Sequence, residues 1–147
     1  MKYTLNIDPL REEEVIVYAH AKSELTDCLE ALITGQKSNT PPIIGYSDDD
    51  IIEIDPKDVH CFFIEGKRLY ASMDRMNVLI KRRLYEIEEI LDDRFIKINQ
   101  SSIANLNHVD RFSVSIGASL TVHFKNGHRD YVSRRQLKSV KERLGIK

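Results

Sequence analysis

The sequence predicts a mainly β protein with α-helices, the α+β class, and three observations carry that prediction. From residue 51 onward the chain breaks into short β-branched and aromatic runs of strand length, separated by turn residues. Asn126-Gly127 stands between two alternating apolar runs, the strongest short-range hairpin signal. Only three stretches, residues 23–34, 84–91 and 134–144, space their apolar residues as a helix does.

Taken in order, residues 2–8 (KYTLNID) and 14–20 (EVIVYAH) read as strands. Residues 23–34 follow as a helix with Ser23 at the N-cap, Asp27 in the first turn, and Leu25, Cys28, Leu29 and Leu32 on one face. Gly35 ends it. This β-β-α unit, residues 1–35, is too small to bury a core alone, so it is expected to pack on something, as a dimerisation or partner-docking element. Residues 36–49 collect Ser, Asn, Pro-Pro and Gly and end in the acidic run, which is linker chemistry.

Residues 50–147 form the second body. A strand at 51–54 leads to Asp55-Pro56, an N-cap and a first-turn proline for one helical turn over 56–59. Strands follow at 60–65 and 68–73 about Gly66, and at 77–81. An amphipathic helix over 84–91 buries Leu84, Ile87 and Leu91 and leaves Asp92-Asp93 outside it. Further strands are expected at 95–98, 103–105 and 109–115, then a hairpin 119–125/128–133. A two-residue Asn-Gly turn pairs His128 with Lys125 and His123 with Asp130. Ser133 caps the last helix, 134–144, whose Leu137, Val140, Lys141 and Leu144 make a narrow inner edge.

The chain has 147 residues, 41% apolar and 31% charged, enough for a real core, and no apolar run of membrane-spanning length or secretory signal pattern, so a cytoplasmic protein is expected. Its net charge of −1 hides an asymmetry. Residues 1–94 carry 12 basic against 20 acidic side chains, a net −8, while residues 95–147 carry 10 against 3, a net +7. A basic third of this kind points to a polyanion, usually nucleic acid. The rival reading is a protein-interaction module whose basic C-terminal third docks on an acidic protein partner or on the chain's own acidic half.

Enzyme chemistry finds no support. The five histidines match no local catalytic signature, no phosphate-binding glycine loop occurs, and the acidic groups lack the alternating spacing of a calcium loop. The two cysteines, Cys28 and Cys61, offer neither a disulfide framework nor a zinc knuckle and read as buried apolar groups. His123 and His128 flank the hairpin tip, where solvated strand residues are a better reading than metal ligands. No cofactor, metal or small-molecule substrate is expected.

The most informative stretches are FIKINQSSIANL, residues 95–106, and YVSRRQL, residues 131–137. With the preceding LYEIEE helix they resemble the LytTR family of bacterial DNA-binding domains. Phe95, Ser101, Ile103, Asn105, Val132, Ser133, Arg134 and Arg135 fall in register with its pattern, and the resemblance covers residues 50–147. Where the family often has Arg, His and a basic residue before the serine, this chain has Lys97, Asn99 and Gln100. Lys97 keeps the charge without the bidentate fork, and a Gln100 amide suits adenine N6/N7.

The resemblance implies an elongated, mostly antiparallel β fold whose loops enter successive major grooves of double-stranded DNA, in a sequence-specific transcriptional regulator. It implies readers at Lys67 and Arg68, at Asn99 and Gln100, and at Arg135. Phosphate contacts fall to Arg134, Lys97, Lys138, Ser101 and Ser102. Asn105 is expected to satisfy turn backbone groups, and Tyr70, Phe95 and Phe112 to be core. Some 50 N-terminal residues are too few for a phosphoacceptor receiver domain. A homodimer is expected, and the resemblance adds a small membrane protein as a possible restraining partner.

Overall fold

A computed structural model describes residues 4–34 and 42–146, in two units, residues 1–40 and 41–147. None of its helices is long and apolar enough to cross a membrane.

In the first unit, helix α1 (Glu24–Thr34) begins where Ser23 predicts. Ser23 and Thr26 cap each other: the Ser23 N–H donates to Thr26 Oγ1 at 2.8 Å and the Thr26 N–H to Ser23 Oγ at 3.4 Å. The two strands expected before it are not formed: residues 4–23 pair with no strand among the described residues. The alternating pattern is kept without a ladder. Val15, Val17, Ala19 and Ala21 line one groove against Leu29 and Ile33 of α1, but the segment has no neighbouring strand to hold its backbone. The expected inner face of the helix is also open, with Leu25 at 48% and Leu32 at 82% exposure, and Cys28 is exposed rather than buried.

The second unit is built on a seven-stranded antiparallel sheet of order β2-β1-β5-β4-β3-β7-β6. Its strands are β1 (Ile43–Ser47), β2 (Asp50–Ile54), β3 (Cys61–Glu65), β4 (Arg68–Ser72), β5 (Asn77–Ile80), β6 (Phe95–Asn99) and β7 (Ser102–Asn105). Strand β1 lies in the stretch read as linker. Its pattern is broken by Gly45, where a Cβ would stand 2.5 Å from Ile54 Cδ1, so any side chain there would have to displace the buried Ile54. Between β2 and β3 the Asp55 carboxylate accepts the Lys57 N–H at 3.0 Å and starts one 3-10 turn.

Alternation along the strands sorts the core into two layers. Phe62 and Ile103 face one side, where helix α2 (Leu84–Ile90) covers the sheet with Leu84 and Ile87. Cys61, Phe63 and Ala104 face the other, against a three-stranded sheet β8-β9-β10 (Val109–Val114, Leu120–Phe124, Arg129–Val132) and helix α3 (Arg134–Leu144). Ser133 caps α3, accepting the Gln136 N–H at 3.3 Å, and Val140 is its fully buried residue. Asn105 is buried as expected, donating to the Val59 carbonyl at 2.9 Å and accepting the Asn107 N–H at 3.0 Å. Phe95 is buried, while Tyr70 and Phe112 pack half-buried on the second layer.

The β9–β10 turn is one residue longer than expected. Phe124 donates to the His128 carbonyl at 2.9 Å and Gly127 to the Phe124 carbonyl at 3.0 Å, so residues 125–127 form the loop, with Gly127 at φ +90°. His123 therefore pairs with Arg129, not Asp130. Asn126 explains the change. Its amide donates to Ser72 Oγ at 2.9 Å and to the Met73 carbonyl at 2.8 Å, clamping the hairpin tip to β4. The two histidines then part company. His123 meets Ser113 Oγ at 2.7 Å, whereas His128, expected to be solvated, is half-buried with its ring 4.7 Å from that of Phe63.

Candidate nucleic-acid interface

Two turns and one helix start of the second unit carry the expected contact residues. At the β3–β4 turn Glu65 pairs with Arg68, leaving a two-residue loop of Gly66 and Lys67, both at positive φ (+56° and +71°), a type I′ turn. Lys67 holds the left-handed conformation that favours glycine, and its side chain and that of Arg68 are exposed.

The β6–β7 turn is set by a bulge, since Lys97 pairs with Ile103 but Asn99 with Ser102. The extra residue turns both Ile98 and Asn99 inward, 0% and 1% exposed. Asn99 and Ser102, expected among the DNA contacts, are buried, and their side chains bond within the protein. Asn99 Nδ2 donates to Asp130 Oδ1 at 3.0 Å and to the Tyr131 carbonyl at 2.9 Å, and its Oδ1 accepts the Ser101 N–H at 2.8 Å. The Ser102 hydroxyl, 2% exposed, donates to the Asp130 carboxylate. Gln100 and Ser101 remain exposed at the tip. Lys97 is half-buried with its Nζ 3.7 Å from a Glu88 carboxylate oxygen, so its charge is partly answered within the chain.

The third place is the start of α3. Arg134, Arg135 and Lys138 are exposed, and at spacings of three and four residues both arginines lie beside Lys138 on the helix surface. No acid stands in that first turn. Two cations at the positive end of a helix oppose the helix dipole by about 0.3–1 kcal/mol each, so they do nothing for the fold and suit an anion.

Backbone bonds hold the three places together. Ile64, next to the β3–β4 turn, donates to the Ser101 carbonyl at 2.8 Å, and Ser133 donates to the Ile98 carbonyl at 2.9 Å. Lys67, Lys97 and Gln100 also share one shallow groove with Arg82, Arg83 and Tyr85 from the start of α2. These last three went unread in the sequence, although the run Lys81-Arg82-Arg83 before an amphipathic helix was a signal for them. The helix start is fixed by Glu86, which accepts the Arg83 N–H at 2.7 Å, while Lys81 is turned aside, its Nζ 4.0 Å from the centre of the Tyr46 ring.

Residues 49–145 match the model of the LytTr DNA-binding domain. Along 150 aligned positions the chain is 33% identical to uncharacterized HTH-type transcriptional regulators of Staphylococcus aureus strains MSSA476 and MW2, covering 99% of each chain. The fold resembles a solved LytTr DNA-binding domain of a Bacillus cereus protein described as a methyl-accepting/DNA response regulator. That match has a TM-score of 0.67 and 22% identity, and covers 72% of this chain and 99% of that one. Among the described residues strands separate every pair of successive helices, so no two helices join in a helix-turn-helix, and the expected contact residues sit on loops, a strand and a helix start. The chain belongs to the LytTR family of DNA-binding domains.

Proposed function

We propose that the protein is a sequence-specific transcriptional regulator that reads successive major grooves of double-stranded DNA. Lys67 and Arg68, Gln100, and Arg135 are its readers. Arg134, Lys138 and Ser101 hold phosphates, joined by Arg82, Arg83 and the partly neutralised Lys97. The observation that carries this is the pair of arginines opening α3 against its dipole, tied through Ser133 and Ile98 to the Gln100 loop. Arg135 suits guanine O6/N7 and Gln100 suits adenine.

The test is selection of binding sites from a random duplex pool, repeated with variants. Arg135→Ala is expected to cost about 1–3 kcal/mol on the preferred site and to relax preference at one position. Gln100→Ala is expected to alter preference without changing the salt slope, because an uncharged side chain releases no counterion. Equal binding of all duplexes by the wild type, with both variants unchanged, would favour the acidic-protein partner instead.

We also propose that residues 1–35 join two copies. Residues 15–19 pair with no strand among the described residues, and Leu25, Cys28 and Leu32 leave an apolar helix face open, so a second copy can supply a partner backbone and cover that face. Deleting residues 1–35 is expected to leave single-site binding and to abolish cooperative binding to paired sites, since tethering makes the second contact intramolecular. Sedimentation checks it. A full-length monomer at micromolar concentration would assign the face to another partner, a small membrane protein being the candidate.

A further inference from the structure

The longer β9–β10 turn brings two neighbouring side chains, His128 and Asp130, to Cys61, which lies far from them in sequence. Sγ of Cys61, a ring nitrogen of His128 and a carboxylate oxygen of Asp130 lie within 4.8 Å of one another. We propose that Cys61, His128 and Asp130 bind one borderline-soft divalent cation of the zinc class, between the two sheets of the second unit.

The chemistry of the donors fits such an ion, since a thiolate, an imidazole and a carboxylate are zinc's usual ligands, with a fourth position left for water. Zinc bonds of about 2.0–2.3 Å put neighbouring ligands about 3.3–3.8 Å apart, which small side-chain rotations supply from this starting geometry. Charge also fits. One thiolate and one carboxylate cancel a divalent cation, so the loaded site is neutral overall and its burial is not opposed by a net charge.

Two further observations point to a ligand. His128 Nε2 is buried and has no hydrogen-bond partner, a state that ordinarily costs free energy and that a cation bonded to that nitrogen would remove. The Asp130 carboxylate is already held in place by Asn99 Nδ2 at 3.0 Å, by the Tyr131 N–H at 2.8 Å and by the Ser102 hydroxyl, the outer support that metal-binding carboxylates need. Burial keeps the His128 imidazole pKa below its usual value, hence neutral and able to ligate. Burial first, and then the Asp130 charge, push the Cys61 thiol pKa up, so it is protonated without a cation. Binding therefore breaks the S–H bond, forms a sulfur–metal bond with the same electron pair, and releases the proton to solvent. The bound ion would fasten β3 to β10, the strand that runs into Ser133 and the arginines of α3.

Cobalt(II), added to the full chain after dialysis against chelator, reports on the site. The expected result is a thiolate-to-cobalt charge-transfer band in the near ultraviolet, saturating at one ion per chain, with d–d bands of four-coordinate intensity and displacement by zinc. Cys61→Ser should lose the charge-transfer band and Cys28→Ser should keep it. His128→Gln, with its fold checked by circular dichroism, should weaken binding at least tenfold and lose any rise in melting temperature that zinc gives the wild type. A folded wild type without the band, or a band that survives Cys61→Ser and disappears in Cys28→Ser, would overturn the proposal.

Discussion

Replacing Phe62 by alanine is expected to remove about 3–5 kcal/mol from the stability of the second unit, the largest loss among single core truncations here. Phe62 is fully buried at the centre of the sheet layer covered by α2, with its ring 5.9 Å from that of Phe95. A cavity there is walled by strands on both sides in the sheet, β4 and β7, whose ladder bonds resist collapse. Domains of this size have about 5–15 kcal/mol in all, so the variant should stand near its unfolding midpoint under mild conditions. Urea denaturation measures it: the midpoint should fall with the slope unchanged, while Ile51→Ala, at a side chain 72% exposed, should stay within about 0.5 kcal/mol of wild type. A loss below about 1 kcal/mol would mean that the two layers are not the core described.

How far the sequence carried depends on whether a feature is local. The alternation of Cys61, Phe62 and Phe63, the cap at Ser133 and the turn at Gly66-Lys67 are fixed by neighbours within a few residues, and the strands and helices of residues 50–146 follow them closely. Residues 2–8 and 14–20 have the same local pattern, yet residues 4–23 form no strand, because a strand also requires a partner backbone that this unit does not supply. Residues 2 and 3 lie outside the described residues, as do Gly35 and the segment up to 41.

The candidate interface was legible where side-chain type decides and illegible where a bulge or a distant contact does. Gln100 and Arg135 are exposed as their chemistry asks. Asn99 and Ser102 look equally suited to DNA, but the shifted pairing at Lys97/Asn99 turns Asn99 inward with Ile98, and Ser102 follows onto Asp130. The Cys61, His128 and Asp130 cluster depends on Asn126 lengthening its turn to reach Ser72 and Met73, 54 and 53 residues earlier in the chain, and no local spacing encodes that.

Asn99→Ala is expected to cost about 2–4 kcal/mol, more than an average buried polar truncation, because it strands three groups at once. The Tyr131 carbonyl, the Ser101 N–H and the Asp130 carboxylate each lose a partner beside a side chain that is itself 1% exposed. Losing hydrogen bonds to a charged group lies at the upper end of such costs. The same bonds tie the Gln100 loop to the strand that leads into α3, so DNA affinity should fall with stability. Site preference separates support from readout. If Asn99 acts only through position, the variant selects the wild-type sequence from a random duplex pool with weaker binding throughout, and lowering the temperature recovers much of the affinity. If the selected sequence instead changes at one base while the melting temperature holds, Asn99 contacts DNA directly and the inward-turned bulge opens on binding.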